Sequence, residues 1–159
     1  MNPESLRTLA FTDFCPVGHA GHLARVTYRA GERLARHGHD FCEVFWITNG
    51  EGTHLTGSPN GAVHSRSNEP LGPGFAALVH LGDVHAIRTA WGGPMILYNV
   101  AFPCAELALL QEAFPEELSR WSGQPGPTCR ALRVEAIREL VAEYERLAAS
   151  RRSRLALHA

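Results

Sequence analysis

Thirteen of the 15 glycines in this chain fall at or before Gly93, and between them run short segments rich in Val, Ile, Thr, Phe, Tyr and Trp. Glycine weakens helices and serves turns, so a chain punctuated in this way makes short strands joined by tight connections. Many such strands in sequence are best housed in a sandwich or a barrel. The spacing predicts strands over 7–11, 23–29, 34–39, 43–49, 52–57, 62–66, 75–80, 84–89 and 95–102, each bounded by Gly, Pro, Asn or Asp. A length of 159 residues supports one domain with a real core. Hydrophobic residues at 45% and charged residues at 19% exclude a disordered tail, a collagen-like repeat and a coiled-coil rod. No apolar run approaches the roughly 18 residues of a spanning helix. Met1 to Ala10 lacks the basic start and apolar stretch of a signal peptide, so a cytoplasmic location with no membrane partner is expected.

After Phe102 the pattern changes. Pro103 opens a short helical segment from Ala105 to Ala113, and Pro115 and the loop from Gly123 to Pro127 separate it from a longer one. The longer helix is expected to start near Thr128, a residue type suited to the N-cap. Ile137, Leu140, Val141, Tyr144, Leu147 and Ala148 recur at steps of three and four and form one apolar stripe. Such a stripe packs on the outside of its own barrel or covers a partner helix, and the second reading makes this chain a homodimer. The chain ends apolar and helix-compatible, from Leu155 to Ala159, so it reads as a piece of something longer. The expected division is a β-barrel over 1–102 and a helical dimerisation segment over 103–159. Residues 1 to 128 carry 8 Arg against 12 acids and residues 129 to 159 carry 7 Arg against 4, which leaves −4 followed by +3. With a net charge of −1 and no helix-turn-helix signature, specific DNA binding by this chain alone is not expected.

The four cysteines, Cys15, Cys42, Cys104 and Cys129, are far apart with no CxxC pair and read as reduced, mostly buried thiols. Eight of the nine histidines lie between His19 and His85, and there the chemistry concentrates. His37 and His39 are one residue apart, so on a strand they share a face. Glu43 lies four residues past His39, about 13 Å along a straight strand, so the chain must bend between them, and Asp40 is a suitable turn former. Past that bend Glu43, Phe45 and Ile47 share one face, expected to be the barrel interior, with Phe45 and Ile47 as an apolar floor for a ligand. The turn pair Gly82 and Asp83 then opens the strand carrying His85. Three imidazoles and one carboxylate suit a divalent transition ion and leave coordination positions open. Zn, Ni, Fe, Mn and Co all fit. His54, His64 and His80 have no comparable spacing and read as surface or satisfied strand positions, and Trp46, Trp91 and Trp121 read as packing.

The spacing Gly31-x5-His37-x-His39-x3-Glu43-x6-Gly50 resembles the first cupin motif, complete at every position. Gly74-x5-His80-x-Gly82-x2-His85 resembles the second, with His80 where the family usually has Pro and Thr89 where it has Asn. The resemblance implies a cupin double-stranded β-helix, a jelly-roll barrel, followed by C-terminal helices. A narrower likeness rests on His39-Asp40-Phe41-x-Glu43-Val44-Phe45-Trp46, on Gly50 to His54, on Gly82 to His85 and on Leu97 to Phe102. These look like the N-terminal effector-sensing domain of AraC-type transcriptional regulators. That resemblance implies a small polar effector, a sugar above all, bound in the barrel. It also implies dimerisation through the helix of Ile137, Leu140, Val141, Tyr144 and Leu147, and DNA contact only through a separate C-terminal domain. The alternative is a stand-alone metal-dependent cupin enzyme, a dioxygenase or a sugar isomerase, using the same His37, His39, Glu43 and His85.

Overall fold

The computed structural model describes residues 6–16, 19–57, 68–122 and 128–156. Two five-stranded sheets face each other. One runs β1 (Arg7–Leu9), β3 (Arg33–His39), β8 (Val84–Thr89), β5 (Gly52–Gly57), β6 (Asn68–Leu71), and the other runs β10 (Thr128–Ala131), β7 (Phe75–Val79), β4 (Cys42–Asn49), β9 (Met95–Phe102), β2 (His22–Tyr28). Every pairing is antiparallel except β1 on β3. The fold class read from the sequence holds: a mainly β jelly roll with helices after it.

Alternation sets the core. On β4 the face of Phe45 and Ile47, both fully buried, meets Ala77 and Val79 of β7, Ile87 of β8 and Leu97 of β9 between the sheets. The tight connections depend on glycine where the motif places it. Gly50 has φ +80°, and a Cβ there would stand 2.4 Å from the Pro94 carbonyl oxygen, so no other residue fits that corner.

After β9 the chain forms α1 (Cys104–Ala113) and α2 (Pro115–Ser122). It then returns to the barrel as β10 before starting α3 (Val134–Ala156). The helix expected from Thr128 therefore begins at Val134. Thr128 pairs instead with Leu78, and Ala131 with Phe75, because the open edge of β7 offers a ladder of backbone partners that an N-cap does not. Besides β10, the elements β6 and α2 were not expected, and the strand expected over 62–66 lies outside the described residues, as does His64.

The stripe of α3 meets the outer face of the second sheet. Ile137 and Tyr144 are buried against Trp46, Ala76 and Tyr98, with Leu140, Val141 and Ala148 packed partly into the same cluster. Tyr144 stands edge-on to both Trp46 and Tyr98 at 6.2 and 4.8 Å, and those two rings stack on each other at 5.6 Å. Of the five residues expected to face a second copy, Ile137 and Tyr144 are thus covered by their own sheet, while Leu147 is 44% exposed. Trp46 and Trp121 pack as expected, but Trp91 is 84% exposed. Among the described residues no helix is long and apolar enough to cross a membrane.

Candidate metal centre

The bend required between His39 and Glu43 is present. β3 ends at His39, and Asp40 anchors the corner by accepting the Phe11 N–H at Oδ1, 2.7 Å, while its own N–H donates to the Leu9 carbonyl. The chain then re-enters as β4 with Glu43 facing inward, and Glu43 is 9% exposed. A register irregularity between Leu34 and His37 puts His37 directly opposite His85 on β8, with the rings 4.4 Å apart. His85 itself follows a turn closed by Asp83, whose carboxylate accepts the His80 N–H at 2.8 Å. His80 stands where the second motif usually has proline, and the turn forms all the same, with Gly82 at φ +85°.

The four predicted donors therefore converge. One ligand nitrogen each from His37, His39 and His85 lies within 4.8 Å of the other two. His39 Nε2 and His85 Nε2 are 3.0 Å apart, and Glu43 Oε2 lies 3.5 Å from the first and 3.6 Å from the second. Nitrogens bound to one ion at about 2.1 Å and at right angles stand about 3.0 Å from each other, so this pair already has the separation of adjacent ligands. The carboxylate contact to His85 is not an ion pair. Burial, reinforced by three neighbouring imidazoles, holds the His85 pKa well below its ordinary value and the ring neutral. His37 is lowered as well, chiefly by burial. Neutral imidazoles are the form that binds metal, so the lowered His37 and His85 together with the donor types and spacing fit a transition ion.

Around these donors sit residues that the spacing in sequence did not mark. Asn99 on β9 donates from Nδ2 to Glu43 Oε1 at 2.6 Å, and its Oδ1 is buried with no hydrogen-bond partner among the described residues. His54 on β5 is fully buried with its Nε2 3.0 Å from His85 Nδ1, and burial lowers its pKa to about 4. Tyr28 is pushed up to about 12 by burial and by the carboxylates of Glu43 and Glu32. Both residues lie in segments that carry the narrower family likeness, but what brings them to the donors is cross-strand register, since β5 lies beside β8 and Asn99 pairs with Phe45. Phe45 and Ile47 do line the inner face, but as closed packing: Phe45 meets His54 edge-on at 5.1 Å and lies against His85 at 6.3 Å.

Three further features lie away from the centre. Cys42 and Cys104, 62 residues apart in sequence, come together where β4 and α1 begin, with Sγ to Sγ 2.9 Å. Burial pushes the Cys42 thiol up to about 12. Between the outer face of the second sheet and the helices is an apolar cleft of about 330 Å³, lined in part by Val44, Val100, Leu110, Trp121 and Leu147. A wider cleft of about 680 Å³ lies where β5 begins and β8 ends, with Arg88 and Trp91 on its wall.

No protein-family model matches the sequence, and no curated protein matches it. Solved structures do resemble it in fold. Apo ToxT K231A from Vibrio cholerae aligns over 80% of this chain and 48% of its own, at 8% identity and a TM-score of 0.63. Wild-type ToxT with an unsaturated fatty acid bound aligns over 76% of this chain and 44% of its own, at 10% identity and a TM-score of 0.56. A cupin 2 conserved barrel domain protein from Salinispora arenicola aligns over 62% and 76%, at 14% identity and a TM-score of 0.47. The chain spans about half the length of ToxT. Since 80% of 159 residues is about 127 and β9 ends at Phe102, the likeness to ToxT reaches past the first nine strands. The fold of this chain is a jelly roll carrying C-terminal helices, an architecture it shares with ToxT.

Proposed function

We propose that this chain is the effector-sensing domain of an AraC-type transcriptional regulator. In this reading the barrel, with β10 as the border of its second sheet, takes up a small polar molecule beside a divalent transition ion held by His37, His39, His85 and Glu43, and the helices after Phe102 form the dimerisation segment. The observation that carries it is the pairing of a buried cluster of three imidazoles and a carboxylate with an unpartnered Asn99 Oδ1 beside Glu43. A buried acceptor left without a donor is costly, and a ligand hydroxyl satisfies it. When bound, the ion supplies a fixed positive charge that polarises an oxygen of the ligand. A sugar offers hydroxyls to His, Glu and Asn and C–H faces to apolar walls, and the absence of arginine from the donor set disfavours phosphorylated sugars.

ToxT was crystallised with an unsaturated fatty acid, which makes an acyl ligand the rival effector. For this chain the apolar cleft beside α3 is the place an acyl chain would enter. A thermal-shift panel of sugars, amino sugars, small organic acids and fatty acids, each with and without added Zn²⁺, separates the two. Sugars that raise the midpoint only with Zn²⁺, and not in His39→Ala, support the reading. Stabilisation by fatty acids alone refutes the polar effector.

The enzyme reading draws on the same three imidazoles and one carboxylate, which leave positions open for substrate. Oxygen consumption or sugar isomerisation by the metal-loaded chain would favour it. Homodimerisation belongs to the sensor reading, with Leu147 as its exposed contact and Leu140 and Val141 beside it; DNA contact belongs to a further domain.

A further inference from the structure

Carbonyl oxygens accept hydrogen bonds and never donate them, so they fix the protons of two of the imidazoles. His37 Nδ1–H donates to the Ala35 carbonyl at 2.9 Å, and His39 Nδ1–H donates to the Phe41 carbonyl at 3.1 Å. Both rings turn a bare Nε2 inward. His85 is held differently, between two other imidazoles: its Nε2 lies 3.0 Å from His39 Nε2 and its Nδ1 lies 3.0 Å from His54 Nε2. The remaining nitrogen of His54, Nδ1, lies 3.7 Å from Cys129 Sγ on β10.

This row of contacts has two proton orders. In the first, His85 Nε2–H donates to His39 Nε2, His54 Nε2–H donates to His85 Nδ1, and Cys129 S–H donates to His54 Nδ1. In the second, His85 Nε2 is bare, His85 Nδ1–H donates to His54 Nε2, and His54 Nδ1–H donates to Cys129 Sγ, whose own proton turns aside. Each ring exchanges one neutral tautomer for the other: the proton leaving His85 Nε2 passes out by way of the Glu43 carboxylate 3.6 Å away, half-buried Cys129 takes a proton from solvent in place of the one it gives to His54, and none is gained or lost overall. The first order places a proton between two facing nitrogens. The second leaves both nitrogens free for an ion, and a ligating imidazole held by a partner on its other nitrogen is the usual way such a ring is oriented. His54 is fully buried and His85 is 1% exposed, which keeps bulk water out of the row.

We propose that His54 and Cys129 form a tautomer relay: binding of an ion at His37, His39 and His85 reverses the protons of His85 and His54, and the change is delivered to Cys129 on the strand that runs into α3. The relay rests on the metal reading above. His54 is then a positioning residue rather than a ligand, and Cys129 links the centre to the segment that leaves the barrel.

The test is nitrogen NMR of the full chain with ¹⁵N-labelled histidine, titrated with Zn²⁺. In the free protein His85 and His54 should both carry the proton on Nε2. With Zn²⁺ both should switch to Nδ1, while His37 and His39 keep Nδ1–H throughout. His54→Leu should weaken Zn²⁺ binding by about 10- to 100-fold in competition with a chelator. His54→Gln, whose amide can present either its oxygen or its nitrogen to His85, should restore most of that affinity, which a merely space-filling role would not require. Cys129→Ala should move the His54 resonances without abolishing binding. Zn²⁺ binding that leaves the His54 tautomer unchanged, or His54→Leu binding as tightly as wild type, overturns the relay. If wild type takes up no Zn²⁺, the metal reading fails and the ion-driven switch with it; Nδ1–H on both rings of the free protein would separately exclude the hydrogen-bond order assigned to that state.

Discussion

His37, His54 and His85 are held below their ordinary pKa by burial, His54 at about 4. Between the lowered value and 6.5 the unfolded chain binds protons that the folded chain refuses, so stability is fully present above pH 6.5 and falls as pH drops from 6.5 toward 4. For His54 the span from 6.5 to about 4 corresponds to about 3 kcal/mol at ~1.4 kcal/mol per pH unit. Asp83, whose burial raises its carboxyl, works in the opposite sense at lower pH. Denaturant titrations between pH 4.5 and 7.5 should show this loss, and His54→Leu should flatten it; an unchanged slope in a folded variant would remove His54 as its source. The convergence of His37, His39, Glu43 and His85 was legible in the sequence because two of them share a strand face and the others follow recognisable turns. His54 and Asn99 were not, since each acquires its partner only when a neighbouring strand comes into register. The cysteines behave likewise: spacing gave no hint that Cys42 meets Cys104.

The elements that the sequence marked poorly are edge strands and a helix that begins with proline. β6 holds Asn68, Glu69, Pro70 and Leu71, and a proline inside an apolar stretch argues against a strand because it cannot donate to a ladder. β6 is the edge of its sheet, where a missing donor on the outer side is harmless. α2 starts at Pro115, which reads as a separator but also suits the first helical position, where the N–H has no partner anyway. β10 is four residues whose partner lies some fifty residues upstream, so no local period announces it. For α3 the period of the stripe was legible, but not which surface it covers. Tyr144→Ala should therefore destabilise the monomer by about 3 kcal/mol, as loss of a buried aromatic does. Leu147→Glu should change stability by less than about 0.5 kcal/mol. Denaturation reads the first effect, and sedimentation of Leu147→Glu reads whether a second copy uses that face. A stable Tyr144→Ala variant would mean that α3 does not pack on the sheet as described.

At the scale of the whole molecule, the contrast between the glycine-punctuated first part and the helical remainder was plain from sequence, because it rests on composition and period rather than on any single contact. An ion that binds only the folded form stabilises it by mass action, about 2.7 kcal/mol at one hundred times its dissociation constant. Adding Zn²⁺, Co²⁺ or Ni²⁺ at that excess should raise the melting temperature of wild type and leave His39→Ala unmoved. An equal rise in both would place the ion elsewhere. Because β10 comes back to β7 after two helices, the natural-looking cut after Phe102 does not release a finished barrel. It strips one sheet of its border and leaves β7 with a row of unsatisfied backbone groups, the kind of surface on which chains stick to one another. A fragment ending at Phe102 should aggregate in an expression trial where one retaining the chain through α3 stays dispersed. Through β10 the C-terminal region thus covers an edge that would otherwise invite self-association.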